Sequence, residues 1–309
     1  MGLTIGALVT EHIAVGLIES HQIVGRVRKF PEAGSVSDAL EGMPAEEIVQ
    51  RIAQEIELAV QGQSVQAIGV GFPGISRNGL IEESPNLKQA KGLNLNESLT
   101  ALLNQKGISA PVHVLNDAAA LAAGVAATRG ELDRLVRVWF LGVGIGLGRY
   151  PQSDSIAEGG HFVVTLDPKE NLCGCGGIGH LEGMMGHRSM RLRFLDLEPE
   201  EVFEEADAGD QRCSEFVKLW HRALAAATAT NIHMDGPGRF YISGPNAKFV
   251  QMGLLDRYVQ DMVKMSPLQG STFEAVPTSD ETALIGAAVS SEHAVSQEAR
   301  DIGASKRKT

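Results

Sequence analysis

Aromatic residues make up only 5% of this 309-residue chain, and cysteine occurs three times. Three thiols are too few for a disulfide-stapled secreted scaffold. Long apolar runs are missing as well: stretches such as Ala118 to Ala127 fall well short of the roughly 20 residues of a membrane span. Clustered positive charge is scarce. The net charge is -11 at pH 7, and the one basic run is the tail Lys306-Arg307-Lys308, read here as a solvated end. Phosphate-backbone contacts need grouped Lys and Arg, which argues against a nucleic-acid partner. The opening residues MGLTIGALVTEHIAVG carry no basic n-region and alternate like a strand, which argues against a signal peptide. No helix-turn-helix module precedes that strand. The expectation is a cytoplasmic protein with neither a membrane nor a DNA partner.

What the chain does contain is glycine, 35 residues of it, within a globular balance of 43% hydrophobic and 21% charged residues. Its length accommodates one large domain or two ordinary ones. Three short β-branched runs open it as a meander: Leu3 to Val9, Ile13 to Glu19 and Ile23 to Phe30. Ile48, Ile52, Ile56 and Ala59 recur at the helical period and predict a helix from Ala45 to about Gln61. Ala67 to Phe72 reads as a buried strand ending in the turn Pro73-Gly74. A helix from Leu95 to Leu103 and a strand from Val112 to Leu115 deliver Asn116-Asp117. Next come an alanine-rich helix (Ala118 to Thr128), a strand (Leu135 to Leu141) and a Cys/His-bearing loop. A long helix near Asp210 to Met234, a strand (Arg239 to Ser243) and a closing helix (Leu284 to His293) complete the series. Strands alternating with helices predict an α/β fold.

Three constellations could carry chemistry. The segment 142-GVGIGLG-148 follows an apolar strand, and its alternating glycines let backbone amides approach an anion. The spacing is not that of a dinucleotide fingerprint, so a glycine-rich hairpin is the other reading. Cys173 and Cys175, with His180 and either His161 or His187, could supply a tetrahedral N/S site for zinc, closed and structural; two free thiols in a loop is the alternative. Asn116-Asp117 stands at a strand end, where α/β sheets present ligand contacts, although an Asp before an alanine-rich helix could equally cap it.

Taken in order, the PG turn, NDA, the alternating-glycine turn, E-x-G-H and C-x-C-G…E resemble the ROK family (repressors, open reading frames, sugar kinases) over nearly the whole chain. The most specific stretches are residues 111–124 and 158–182. The resemblance implies a two-domain actin-like ATPase fold, hexokinase-type and ribonuclease H-like. It implies a small α/β domain at 1–117, completed by a C-terminal helix at about 288–309, and a large domain at 118–287 with the zinc loop. Asp117 would be the general base, and Gly74, Asn116, Asp117, Glu158, His161 and Glu182 would line a sugar site. Gly142, Val143, Gly144 and Gly244 would face the nucleotide, and His161, Cys173, Cys175 and His180 would hold structural Zn. The activity implied is phosphoryl transfer from ATP, with Mg, to a hexose or N-acetylhexosamine by a homodimer. Alternatives are a sugar-binding sensor without turnover, or a sugar-acting enzyme of another reaction class.

The departures from the family pattern fall on the nucleotide side. Where the family has D-x-G-G-T, the gapless register places Ala7 at the Asp, Val9-Thr10 at the glycine pair and Glu11 at the Thr. Val143 replaces a hydroxyl donor, Ser243-Gly244 replaces a glycine pair, and Ala283 stands where glycine is common. His180 replaces the third cysteine of the metal motif, and 85-PNLKQAKG-92 lacks the family's aromatic. A carboxylate at position 11 would repel a triphosphate, and each lost phosphate donor is expected to cost about 1–3 kcal/mol.

Overall fold

In the computed structural model, which describes residues 2–32, 39–153 and 158–305, the chain divides into two units. The first is made of Met1–Arg134, Gly148–Asp154 and Ser279–Thr309, and the second of Leu135–Leu147 and Ser155–Thr278. The basic tail 306–308 lies outside the described residues.

The first unit opens with the expected meander, β1 (Thr4–Val9), β2 (Ile13–Glu19) and β3 (Gln22–Phe30). Helix α1 (Ala45–Val60) follows and buries Ile48, Ile52 and Ile56, the apolar stripe read from the sequence. Removing each of these side chains from water contributes roughly 1.5–3 kcal/mol. Strand β4 (Ile68–Phe72) leads into a small hairpin, β5 (Ile75–Arg77) and β6 (Leu80–Glu83), then α2 (Leu95–Gln105), β7 (Val112–Asn116) and α3 (Asp117–Thr128). The sheet order is β3-β2-β1-β4-β7: β1 pairs antiparallel with β2 and parallel with β4, and β4 pairs parallel with β7. Every residue of β1 and β4 is buried, as strands covered on both faces require.

The second unit begins with β8 (Val136–Leu141) and the first residues, 145–147, of β9 (Ile145–Tyr150), neighbouring strands joined by Gly142–Gly144. The metal-motif loop then leads into α4 (Leu181–Met185), α5 (His187–Arg193), α6 (Pro199–Ala208) and the long α7 (Gln211–Asp235). Strand β10 (Arg239–Ser243), α8 (Met252–Met262) and β11 (Thr272–Ala275) complete it. The sheet order is β11-β10-β8-β9, with β10 parallel to both β8 and β11. Trp139 and Trp220 are fully buried in its core. Arg137 is buried as well, with Nη1 donating to Asn231 Oδ1 (2.8 Å) and its guanidinium 4.0 Å over the Phe240 ring.

The closing helix, α9 (Asp280–Ser305), starts four residues earlier than its apolar pattern suggests and belongs to the first unit. Its backbone lies against glycine on three elements. A Cβ on Gly6 would stand 2.0 Å from the Leu284 carbonyl oxygen, one on Gly69 1.9 Å from that of Ala287, and one on Gly124 1.7 Å from that of Thr282. This close approach ties α3 to α9. The contact-based division therefore falls after Arg134 and before Ser279, not at Asp117 and 287 as drawn from the sequence.

Candidate functional site

In the first unit the site begins where β7 ends. The N-cap of α3 is Asn116, not Asp117: Asn116 Oδ1 accepts from the amides of Ala118 (2.9 Å) and Ala119 (3.2 Å). These amides have no partner within the helix, so a short polar side chain is favoured there. Nδ2 of the same residue donates to the carbonyl of Gly74 at 3.0 Å, which fixes the Pro73-Gly74 turn beside the strand end. Gly74 has φ +100°, and a Cβ on it would stand 2.2 Å from the Glu83 carbonyl oxygen, so the turn requires glycine. Asp117 opens α3, its Oδ1 accepting from Ala118 N at 2.9 Å.

The β1–β2 turn belongs to the same unit. The Thr10 amide donates to the His12 carbonyl at 2.9 Å, Glu11 is exposed, and Ala7 is fully buried in β1. Asp280, at the start of α9, faces this turn. Its Oδ2 lies 2.9 Å from His12 Nε2 and 2.6 Å from Lys29 Nζ. The hydrogen bond from His12, with that from Lys29, holds the carboxyl at about 2. In the sequence this cluster has one signal, the Ser279-Asp280-Glu281 run, a helix-start pattern.

In the second unit, the tight stretch Glu158-Gly159-Gly160-His161 presents His161 to the cysteine loop. His161 Nδ1 lies 3.3 Å from His180 Nδ1 and 3.8 Å from Cys173 Sγ; Cys175 Sγ lies 3.4 Å from Cys173 Sγ and 3.2 Å from His180 Nδ1. The four donor atoms fall within 4.8 Å of one another. His187, offered by the sequence as an alternative to His161, is not in this group. It starts α5, with Nε2 3.9 Å from Glu200 Oε1. Burial pushes the Cys173 thiol up to about 12 and lowers the His180 imidazole. Burial also raises the Glu158 carboxyl; the nearby Glu182 adds to the rise and His161 opposes it. Glu182, in the first turn of α4, accepts from the Ile145 amide (3.2 Å) and from Cys173 Sγ (3.5 Å).

The glycine-rich turn 142–144 is closed by a Gly142 N–H bond to the Gly144 carbonyl (3.0 Å), with Val143 66% exposed at its tip. After β10, the Gly244 amide donates to Thr278 Oγ1 at 2.9 Å, a partner the sequence did not reveal.

A model of the ROK family matches residues 2–293. This chain belongs to the ROK family. The glucokinase of Pyrobaculum calidifontis is 28% identical over 250 residues, covering 76% of this chain and 81% of that protein. Among solved structures, the ROK hexokinase of Thermus thermophilus superposes with a TM-score of 0.76 at 23% identity, covering 96% of this chain and 99% of that one. The ROK family glucokinase of Streptomyces griseus, solved with glucose and AMPPNP, gives 0.68 at 22% identity, with 94% and 100% covered. The fold is the two-domain actin-like ATPase fold. Among the described residues no helix is long and apolar enough to cross a membrane.

For this ROK chain the donor set fits a metal. Tetrahedral zinc with N and S ligands separates its donor atoms by about 3.3–3.8 Å, and the four distances above run from 3.2 to 3.8 Å. In the β1–β2 turn the Thr10 amide donates within the turn and Glu11 is exposed, with Asp280 paired to His12 and Lys29 beside it.

Proposed function

We propose that the protein is a sugar kinase that transfers a phosphoryl group to a hydroxyl of a hexose or N-acetylhexosamine. The observation that carries this reading is the junction of β7 and α3, where Asn116 is locked as cap and turn anchor and Asp117 opens the helix beside it. Strand ends of α/β sheets are where ligands are met. The named relatives, a glucokinase and a hexokinase among them, support the substrate class. In this reading Asp117 takes the proton of the attacking hydroxyl. Glu158, His161 and Glu182 accept from and donate to the sugar, whose hydroxyls do both. His161, Cys173, Cys175 and His180 would hold a structural zinc ion, which would fix the His161 ring. Gly142, Val143, Gly144 and Gly244 would face the phosphoryl donor, with the β1–β2 turn giving little help. The homodimer expected from the family belongs to the same proposal.

A second reading, a sugar-binding sensor without turnover, is favoured by the β1–β2 turn itself, with its spent amide and exposed Glu11. Calorimetry of Mg-ATP and Mg-ADP binding, with and without a panel of hexoses and N-acetylhexosamines, separates the two. Nucleotide binding that tightens with one sugar supports the kinase. A sugar that binds while neither nucleotide does overturns it and leaves the sensor.

A further inference from the structure

Glu182 touches two parts of the second unit, Ile145 of the glycine turn, 37 positions away, and Cys173 of the metal loop, nine positions away. Its Oε2 accepts the Ile145 N–H at 3.2 Å, and a Cβ on Gly144 would stand 2.9 Å from the same oxygen. Its Oε1 accepts from Cys173 Sγ at 3.5 Å. The Glu182 main chain is anchored in turn: its carbonyl oxygen takes the Gly186 N–H (2.9 Å) and the Ser189 hydroxyl (2.8 Å). The joint between α4 and α5 then reaches the turn a second time, because the His187 N–H donates to the Gly142 carbonyl at 3.2 Å. A Cβ on Gly186 would stand 2.7 Å from the Val143 carbonyl oxygen.

The turn is thus gripped at both ends, by a backbone donor at Gly142 and by a side-chain carboxylate at Ile145. A glutamate that served only to meet sugar hydroxyls would not need to spend one oxygen on this amide.

We propose that Glu182 is a positioning residue for the 142–145 turn, fixing its backbone amides independently of any contact with sugar. That the turn faces a phosphoryl donor rests on the kinase reading above; the bond to Ile145 does not. The turn engages Oε2 alone, while Oε1 lies against Cys173 on the metal loop.

The test uses zinc-loaded protein and two variants, Glu182→Ala and Glu182→Gln. Amide hydrogen exchange at Ile145 is followed by NMR, with Tyr241 in β10 as the reference for general loosening, and glucose and N-acetylmannosamine binding is measured alongside. Glu182→Ala should speed Ile145 exchange about tenfold, the loss of one net hydrogen bond, with Tyr241 unchanged. Glu182→Gln keeps a carbonyl oxygen for the amide and should restore slow exchange, while binding of any sugar that the wild type binds weakens in both variants. Unchanged Ile145 exchange in Glu182→Ala overturns the proposal. So does equal acceleration at Ile145 and Tyr241, or failure of Glu182→Gln to rescue. If no sugar or nucleotide binds at all, the kinase reading falls while the exchange data still decide the role of Glu182.

Discussion

Asn116 and Gly74 are joined by a 3.0 Å hydrogen bond from the Asn116 side chain to the Gly74 carbonyl, while the same side chain caps α3. The bond makes the strand end, the turn and the helix start one rigid corner. Asp117 opens the helix at that corner.

Asp117→Asn is accordingly expected to lower sugar phosphorylation by about 10²–10⁴-fold, the usual contribution of a positioned general base. Sugar affinity measured by calorimetry should change little. Loss of sugar binding along with turnover would show that Asp117 is a ligand first. Asn116→Ala should instead destabilise the fold by about 1 kcal/mol through the lost cap.

The His161, Cys173, Cys175, His180 cluster predicts about one equivalent of zinc in protein purified without chelator. Chelation should lower the melting temperature, because metal binding to a folded site is linked to folding. A metal-free protein whose melting temperature ignores chelator would end the zinc assignment. Cys175→Ser should retain less than the wild-type metal.

Two glycines should respond in opposite directions. Gly124→Val drives a side chain into the Thr282 carbonyl and should destabilise by about 1–3 kcal/mol or more, as overpacking does. Gly253, in the first turn of α8, has nothing within 4 Å of an added Cβ, so Gly253→Ala should stabilise by about 0.4–1 kcal/mol through the lower entropy of the unfolded chain. Urea unfolding measures both, and a neutral Gly124→Val would refute the close approach of α3 and α9.

Asp280, held at about 2 by His12 and Lys29, sets a pH dependence. A lowered carboxyl contributes stability that is complete above the unfolded value near 4 and is lost as pH falls toward about 2. Allowing for solvent around this partly exposed group, the contribution is about 1 kcal/mol. Asp280→Asn should therefore be less stable than wild type at neutral pH, and the gap should close between about pH 4 and pH 2. A gap that persists at the acid end would mean that the ion pairs are not its source.

Much of this was legible in the sequence where a local pattern carried it. The opening meander, α1 and β4 follow from period 2 or 3.6, and the metal cluster from two cysteines and a histidine inside the eight glycine-rich positions 173–180 with His161 upstream. What was hidden depends on distance or on featureless surfaces. The His12–Asp280 contact spans 268 positions. Helix α3 buries seven consecutive residues from Ala120 to Ala126, so no single apolar face says which unit it packs with. The sequence leaves Asp117 open as either a cap or a ligand contact, because both Asn and Asp favour caps, and only the backbone shows that Asn116 takes that place.

The return of α9 to the first unit also bears on how the molecule comes into being. Residues up to Arg134 leave the ribosome early, yet the faces of β1 and β4 marked by Gly6 and Gly69 stay bare until Leu284 and Ala287 have been made. The second unit, whose residues end at Thr278, has all of its chain in hand before α9 exists. Domains fold as units during synthesis, so the half of the protein begun first is the last to be finished.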